Sequence, residues 1–176
     1  ESHNIGKLYD RAYGGNIDLY GHNQPDNVPL YKGTTVEDVS DYIIRNQKIL
    51  LDSLKGDERF SRDIIITPSQ TQFRTTRCIE GGHVFSEDDA YRHFDDSIAA
   101  ICDFDRRDFL FEVPYRTLVH KDFDNLITAG RCASAKGYGW DILRVIPPAI
   151  VTGQAAGTAV AAAIDSDCDI NKVDIK

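Results

Sequence analysis

Residues 125–164, NLITAGRCASAKGYGWDILRVIPPAIVTGQAAGTAVAAAI, decide how the chain is read. A short apolar run, LITA, ends in a Gly130-Arg131 turn. A glycine-containing loop follows, and Pro147-Pro148 then open a helix predicted over about 147–164. Proline suits a first helical turn because the amides there have no intrahelical partner. The body of that helix is built from alanines and glycines. Gly costs a helix roughly 1 kcal/mol relative to Ala, so Gly153 and Gly157, one turn apart on one face, call for a reason. Close approach to a sheet or to a flat ligand supplies one. The expectation is a packed face that tolerates no larger residue.

The same stretch gathers positive charge. Arg131 follows the apolar run, and Arg144 lies three residues before Pro147. The N-terminal end of a helix adds partial positive charge and unpaired amides. Two guanidiniums and a helix start around a loop make a candidate anion site. The alternative is a surface strand–loop–helix with solvated arginines. Gly137-x-Gly139 continues as Trp-Asp-Ile, without the third glycine of the dinucleotide fingerprint.

Upstream, "DSIAAICDF", "DFLFEVPYRTLV" and "DNLITA" read as strands or strand edges. Ser86 is placed to cap a short helix, "EDDAYRHF", whose carboxylates suit a solvated helix start. "SRDIIITPSQTQFRTTRCIEGGHVF" reads as two strands broken at Pro68 and closed by a Gly81-Gly82 turn. The clearest helix is "TTVEDVSDYIIRNQKILLDSLKG". Thr34 with Glu37 forms a capping box, Val36, Val39, Ile43, Leu50 and Leu54 recur at helical spacing, and Gly56 suits the stop. Residues 1–33 are polar and turn-rich. The class is α/β or α+β, with a mixed sheet and a C-terminal small-residue helix. The organisation is a substrate or cap-type region over 1–112, a strand–loop–helix over 113–165, and a tail over 166–176.

The 176 residues carry a net charge of -8, and 41% are hydrophobic. The balance fits a globular protein and opposes nucleic-acid binding, which needs a basic footprint. No apolar run reaches the length of a membrane span. The chain starts at Glu1 and has no Met, so a piece of a longer protein is expected. Cys78, Cys102, Cys132 and Cys168 form no C-x-x-C pair, and reduced, mostly buried thiols without metal are expected.

"VPYRTLVHKDFDNLITAGRCASA", then "LRVIPPAIVTGQAAGTAVAAA", resembles the C-terminal part of FAD-dependent oxidoreductases related to the fumarate reductase flavoproteins and glutathione-reductase-type flavin folds. "FRTTRCIEGGHVFSEDDAYRHFDDSIA" is similar to the stretch preceding it, so the likeness runs from about residue 73 to 164. The resemblance implies FAD as cofactor. It puts Gly130 and Arg131 on the phosphate and ribityl side, and Arg144, Val145 and Ile146 at the flavin's pyrimidine edge. That family's glycine-rich phosphate loop belongs to an N-terminal dinucleotide-binding lobe absent from this sequence. The lobe is therefore the expected partner, and the chain by itself is expected to be an incomplete flavoprotein fold and inactive.

Among the remaining candidates, Arg116 is the choice for a substrate-side catalytic cation. Arg74 and Arg77 could clamp an anionic substrate, or pair with Glu80, Glu87 or Asp88. His83 and His120 are weighed as acid–base groups against structural roles, with the structural role favoured. Two classes of function remain. One is a cytoplasmic flavin-dependent oxidoreductase moving hydride between a small organic substrate and FAD. The other is a non-catalytic binding or interaction domain on the same scaffold without flavin. A hydrolase lacks any G-x-S-x-G elbow or triad.

Overall fold

The computed structural model describes Tyr31, residues 33–58 and residues 75–175. Arg74, the turn-rich residues 1–30 and the strand expected before Pro68 lie outside the described residues. The chain divides into two compact units, Glu1–Thr76 and Arg77–Lys176.

In the first unit, helix α1 spans Val36–Lys55. Its cap is Thr35 rather than Thr34: the Thr35 hydroxyl accepts the Asp38 amide at 3.2 Å, and the Asp38 carboxylate accepts the Gly33 amide. The helix therefore starts one residue later than the Thr34–Glu37 spacing suggests. The buried side of the helix includes Tyr42, stacked edge-on against Tyr31 at 5.2 Å. Val36, expected on the apolar face, is exposed, as are Ile44 and Leu51.

The second unit is α+β. Strands β1 (Ser97–Cys102) and β2 (Leu110–Pro114) pair antiparallel, with Ile101 opposite Phe111 and Ala99 opposite Val113. Alternation puts Phe111 and Val113 inward, where they meet Phe85, Leu118 and the C-terminal helices. The predicted "DNLITA" strand is reduced to one antiparallel bridge, Val119 with Ile127. Phe85 and Ala135 form a parallel bridge. The predicted helix after Ser86 is a single 3-10 turn, Glu87–Asp89, closed by the Ser86–Asp89 capping box.

Helix α2 (Gly137–Leu143) occupies what the sequence suggests is a glycine-rich loop. Its two glycines have separate causes. Gly137 sits at φ +52°, and a Cβ on Gly139 would stand 2.5 Å from the Ser86 Cα. Conformation fixes the first and close backbone contact the second. A bend of 77° leads into helix α3 (Ile146–Asp165), one residue longer at each end than the sequence reading. Residues 166–175 turn back onto the core, where the Tyr115 hydroxyl donates to the Ile170 carbonyl at 2.7 Å. No single described helix is long and apolar enough to cross a membrane.

Two expectations fail here. The face of α3 carrying Gly153 and Gly157 is exposed, and a Cβ at either position would meet nothing within 4 Å. Its glycines are not held by packing within this unit. The cysteines carry no disulfide, but Cys102 and Cys132 are exposed and only Cys78 and Cys168 are half-buried. Both exposed thiols lie where the chain faces outward, on the end of β1 and in the turn after Gly130.

Candidate functional site

Three elements converge at the Gly130-Arg131 turn. Gly130 is buried at φ +60°, and a Cβ there would lie 3.4 Å from that of Ala149 on the first turn of α3. Its amide donates to the Thr152 hydroxyl at 2.9 Å, and that hydroxyl donates in turn to the Pro148 carbonyl at 2.8 Å. From the other side, the Trp140 indole N–H of α2 donates to the Arg131 carbonyl at 2.9 Å. The turn is thus tied to both helices, with Arg131 itself directed to the exposed side.

The α3 N-terminus is set by Val145 in extended geometry, and no side chain caps it. Pro147 and Pro148 have no amide, and the Ala149 amide already donates to the Val145 carbonyl. In the first turn only Ile146 is left to offer an N–H outward, together with the helix dipole. This is a narrower anion cradle than four open amides would make.

Arg144 takes a different role from the one its sequence position suggests. Its Nε and Nη2 lie 2.7 and 2.5 Å from Asp141 Oδ1, and the two side chains are only 10% and 3% exposed. The pair is buried and close to electroneutral, so Arg144 adds little net field at the helix start. Val145 is half-buried, and Ile146 is 76% exposed, one turn before the exposed Ile150. The site therefore presents an apolar lip, one backbone donor, and Arg131.

Arg116 lies elsewhere, after β2. Its guanidinium is 5.6 Å from the Phe94 ring centroid and 3.5 Å from Asp96 Oδ1. Arg77 is exposed at the start of the second unit. Of its proposed acidic partners, Glu87 instead pairs with Arg106. His83 bonds through Nε2 to Asp89 Oδ2 at 2.8 Å, and His120 accepts the Asp122 amide at 3.0 Å. Asp89 is buried and accepts the Ser86 amide, so it is no solvated helix-start carboxylate. A closed polar network surrounds Asp103. Burial alone would raise that carboxyl, but the Asp105 amide, the Arg106 guanidinium and amide, and the Tyr138 hydroxyl hold it below the ordinary aspartate value.

Sequence reasoning missed Thr152, Asp141 and Asp89. Thr152 is a lone β-branched hydroxyl in the first half of a small-residue helix, and Asp141 stands three residues before Arg144. Both spacings are visible in the sequence, but only burial makes them matter.

Residues 8–176 match the FAD dependent oxidoreductase family. The chain belongs to that family. The match begins well upstream of residue 73 and takes in nearly the whole chain. No curated protein and no solved structure matches the chain. No three His, Cys, Asp or Glu side chains among the described residues are grouped to hold a metal ion.

Proposed function

We propose that this chain is the C-terminal, flavin-edge portion of an oxidoreductase that transfers hydride between a small organic substrate and FAD. The observation that carries the reading is the Gly130-Arg131 turn, locked by Thr152 and Trp140 against an uncapped helix start. Gly130 and Arg131 would face the phosphate and ribityl side, and Val145 and Ile146 the pyrimidine edge. Arg144 would act with Asp141 to hold the α2–α3 bend, setting the position of those groups. The bound flavin supplies the two-electron redox chemistry, and the protein orients it and stabilises charge. A single amide at the head of a helix dipole suits the negative charge that reduced flavin gathers on this edge.

The fit is to one edge of the cofactor, which supports a second lobe binding the dinucleotide. Helix α3 supports the same reading. Ile146, Ile150, Gly153, Gly157, Val160 and Ile164 recur at spacings of four and three residues, and all six are exposed. A stripe of that kind on a 20-residue helix marks an interaction face. Glycines at its middle let a partner backbone come close.

Titrating the purified chain with FAD while following flavin fluorescence tests the proposal. Weak quenching, saturating only above the micromolar range and lost in Arg131→Gln, is expected. Submicromolar binding would show the site to be complete without a second lobe. No response at any concentration would favour the flavin-free interaction domain.

A further inference from the structure

We propose that His83 is a reactive base, its Nδ1 taking the proton from a hydroxyl or amine on the substrate carbon that gives up hydride. Only the origin of that proton rests on the oxidoreductase reading. The reactivity of the nitrogen rests on the groups around the ring.

One side of the imidazole is occupied by a buried carboxylate. Nε2 lies 2.8 Å from Asp89 Oδ2, and Asp89 is 2% exposed. The same oxygen accepts the Ser86 amide at 3.0 Å, and Arg92 Nη1 reaches Oδ1 at 3.4 Å. A carboxylate offers acceptors and no donor, so the ring hydrogen sits on Nε2 and the lone pair on Nδ1.

The ring is also locked in place. The His83 amide donates to the Arg116 carbonyl at 3.1 Å, and the Gly82 amide before it donates to the Val119 carbonyl at 3.1 Å. Phe94, 5% exposed, meets the ring edge-on at 5.0 Å. Two residues on, the Phe85 amide donates to the Ser134 carbonyl at 3.0 Å, and the Phe85 carbonyl accepts the Lys136 amide at 2.9 Å. His83 is thus carried on backbone tied to the segment between the Gly130-Arg131 turn and α2. A base oriented by a second, fixed group is the arrangement that proton transfer in a site requires.

Nδ1 is the open end. It makes no hydrogen bond among the described residues and is not a buried atom, while the side chain as a whole is 18% exposed. The other described histidines differ. His93 is 76% exposed and spends its Nδ1 on Glu112, and His120 spends its Nδ1 on the Asp122 amide. Only His83 among them combines a buried carboxylate on one nitrogen with an open second nitrogen. In the proposed step a substrate O–H or N–H bond breaks and its proton passes to Nδ1. The bonding pair forms the new C=O or C=N bond as hydride leaves the carbon for FAD, and the proton later returns to water.

The test uses the flavin-free chain. Long-range ¹H–¹⁵N NMR should show the His83 hydrogen on Nε2 and a bare Nδ1. Diethyl pyrocarbonate, which acylates imidazole nitrogen, should modify His83 at least as fast as the far more exposed His93, by mass-spectrometric mapping. Asp89→Asn keeps an oxygen for Nε2 and the Ser86 amide but removes the charge. It should slow acylation of His83 by about threefold or more, the order expected when a charge-assisted hydrogen bond becomes a neutral one. If Asp89 were only a latch on the side chain, the same variant would loosen the ring and speed the reaction. The proposal is overturned by a hydrogen on Nδ1, by His83 reacting more slowly than His93, or by an unchanged or faster rate in Asp89→Asn. Should Asp89→Asn lose its dispersed spectrum, the first two measurements decide. A failure of FAD binding in the fluorescence titration leaves these results standing, since no flavin is present here.

Discussion

Replacing Gly153 and Gly157 by alanine should stabilise the protein. Both glycines lie in the interior of α3, neither has a positive φ, and a Cβ at either would meet no heavy atom within 4 Å. No contact is lost or overpacked, so the effect reduces to backbone freedom. A glycine in a helix interior costs about 1 kcal/mol relative to alanine, mostly through the entropy of the unfolded chain. The double variant should therefore gain about 1–2 kcal/mol. For a unit of this size, each kcal/mol moves the melting midpoint by about 4–8 °C, so a rise of about 4–16 °C is expected. Leucine at the same positions should melt at or above the parent temperature, since its helix propensity is close to that of alanine. Gly139→Ala is the internal contrast. Its Cβ would stand 2.5 Å from the Ser86 Cα, and a cost of about 1–3 kcal/mol should appear as a lower midpoint. Thermal melts followed by circular dichroism decide the matter. If both Gly153→Ala and Gly157→Ala lower the midpoint, the face is covered in solution and the reasoning from open space fails.

Thr152→Val keeps the shape but leaves the buried Gly130 amide without its acceptor, and should cost about 1–3 kcal/mol by urea denaturation. An unchanged midpoint would mean that the turn is held without this hydroxyl. Arg144→Ala removes the guanidinium that lies against a buried Asp141 and should cost about 3 kcal/mol. Adding Asp141→Asn should recover part of that loss, whereas additive losses would rule out the pair. His93 is raised above its ordinary 6.5 by its hydrogen bond to Glu112 and by that residue's charge. Glu112 is held below its ordinary 4.5 first by the Phe94 amide and then by His93. The His93 contribution is complete below 6.5 and fades as pH rises through its folded value. The Glu112 contribution is complete above 4.5 and fades as pH falls through its folded value, so the pair favours folding most between the two. In Glu112→Gln the His93 imidazole should titrate lower by NMR, and an unmoved midpoint would exclude the contact in solution.

Local signals in the sequence determined the helices with clear punctuation. Pro147-Pro148 located the start of α3, and the spacing of apolar residues located α1, because caps and periodicity act within a few residues. The runs "SIAAIC" and "LFEVP" were legible as strands, but their antiparallel pairing was decided by the fold, and the family resemblance pointed to the turn at Gly130. What each residue does there was decided by partners distant in the chain. Thr152 matters because it meets Gly130, Gly139 because Ser86 passes against it, and Asp89 because His83 closes over it. The glycines of α2 looked like a loop, since Gly carries a helix penalty that only tertiary contact could offset. The glycines of α3 looked like a packed face, yet within this unit that face is open. Composition reports what a helix surface can accommodate, and only the arrangement of the other elements says whether anything lies against it.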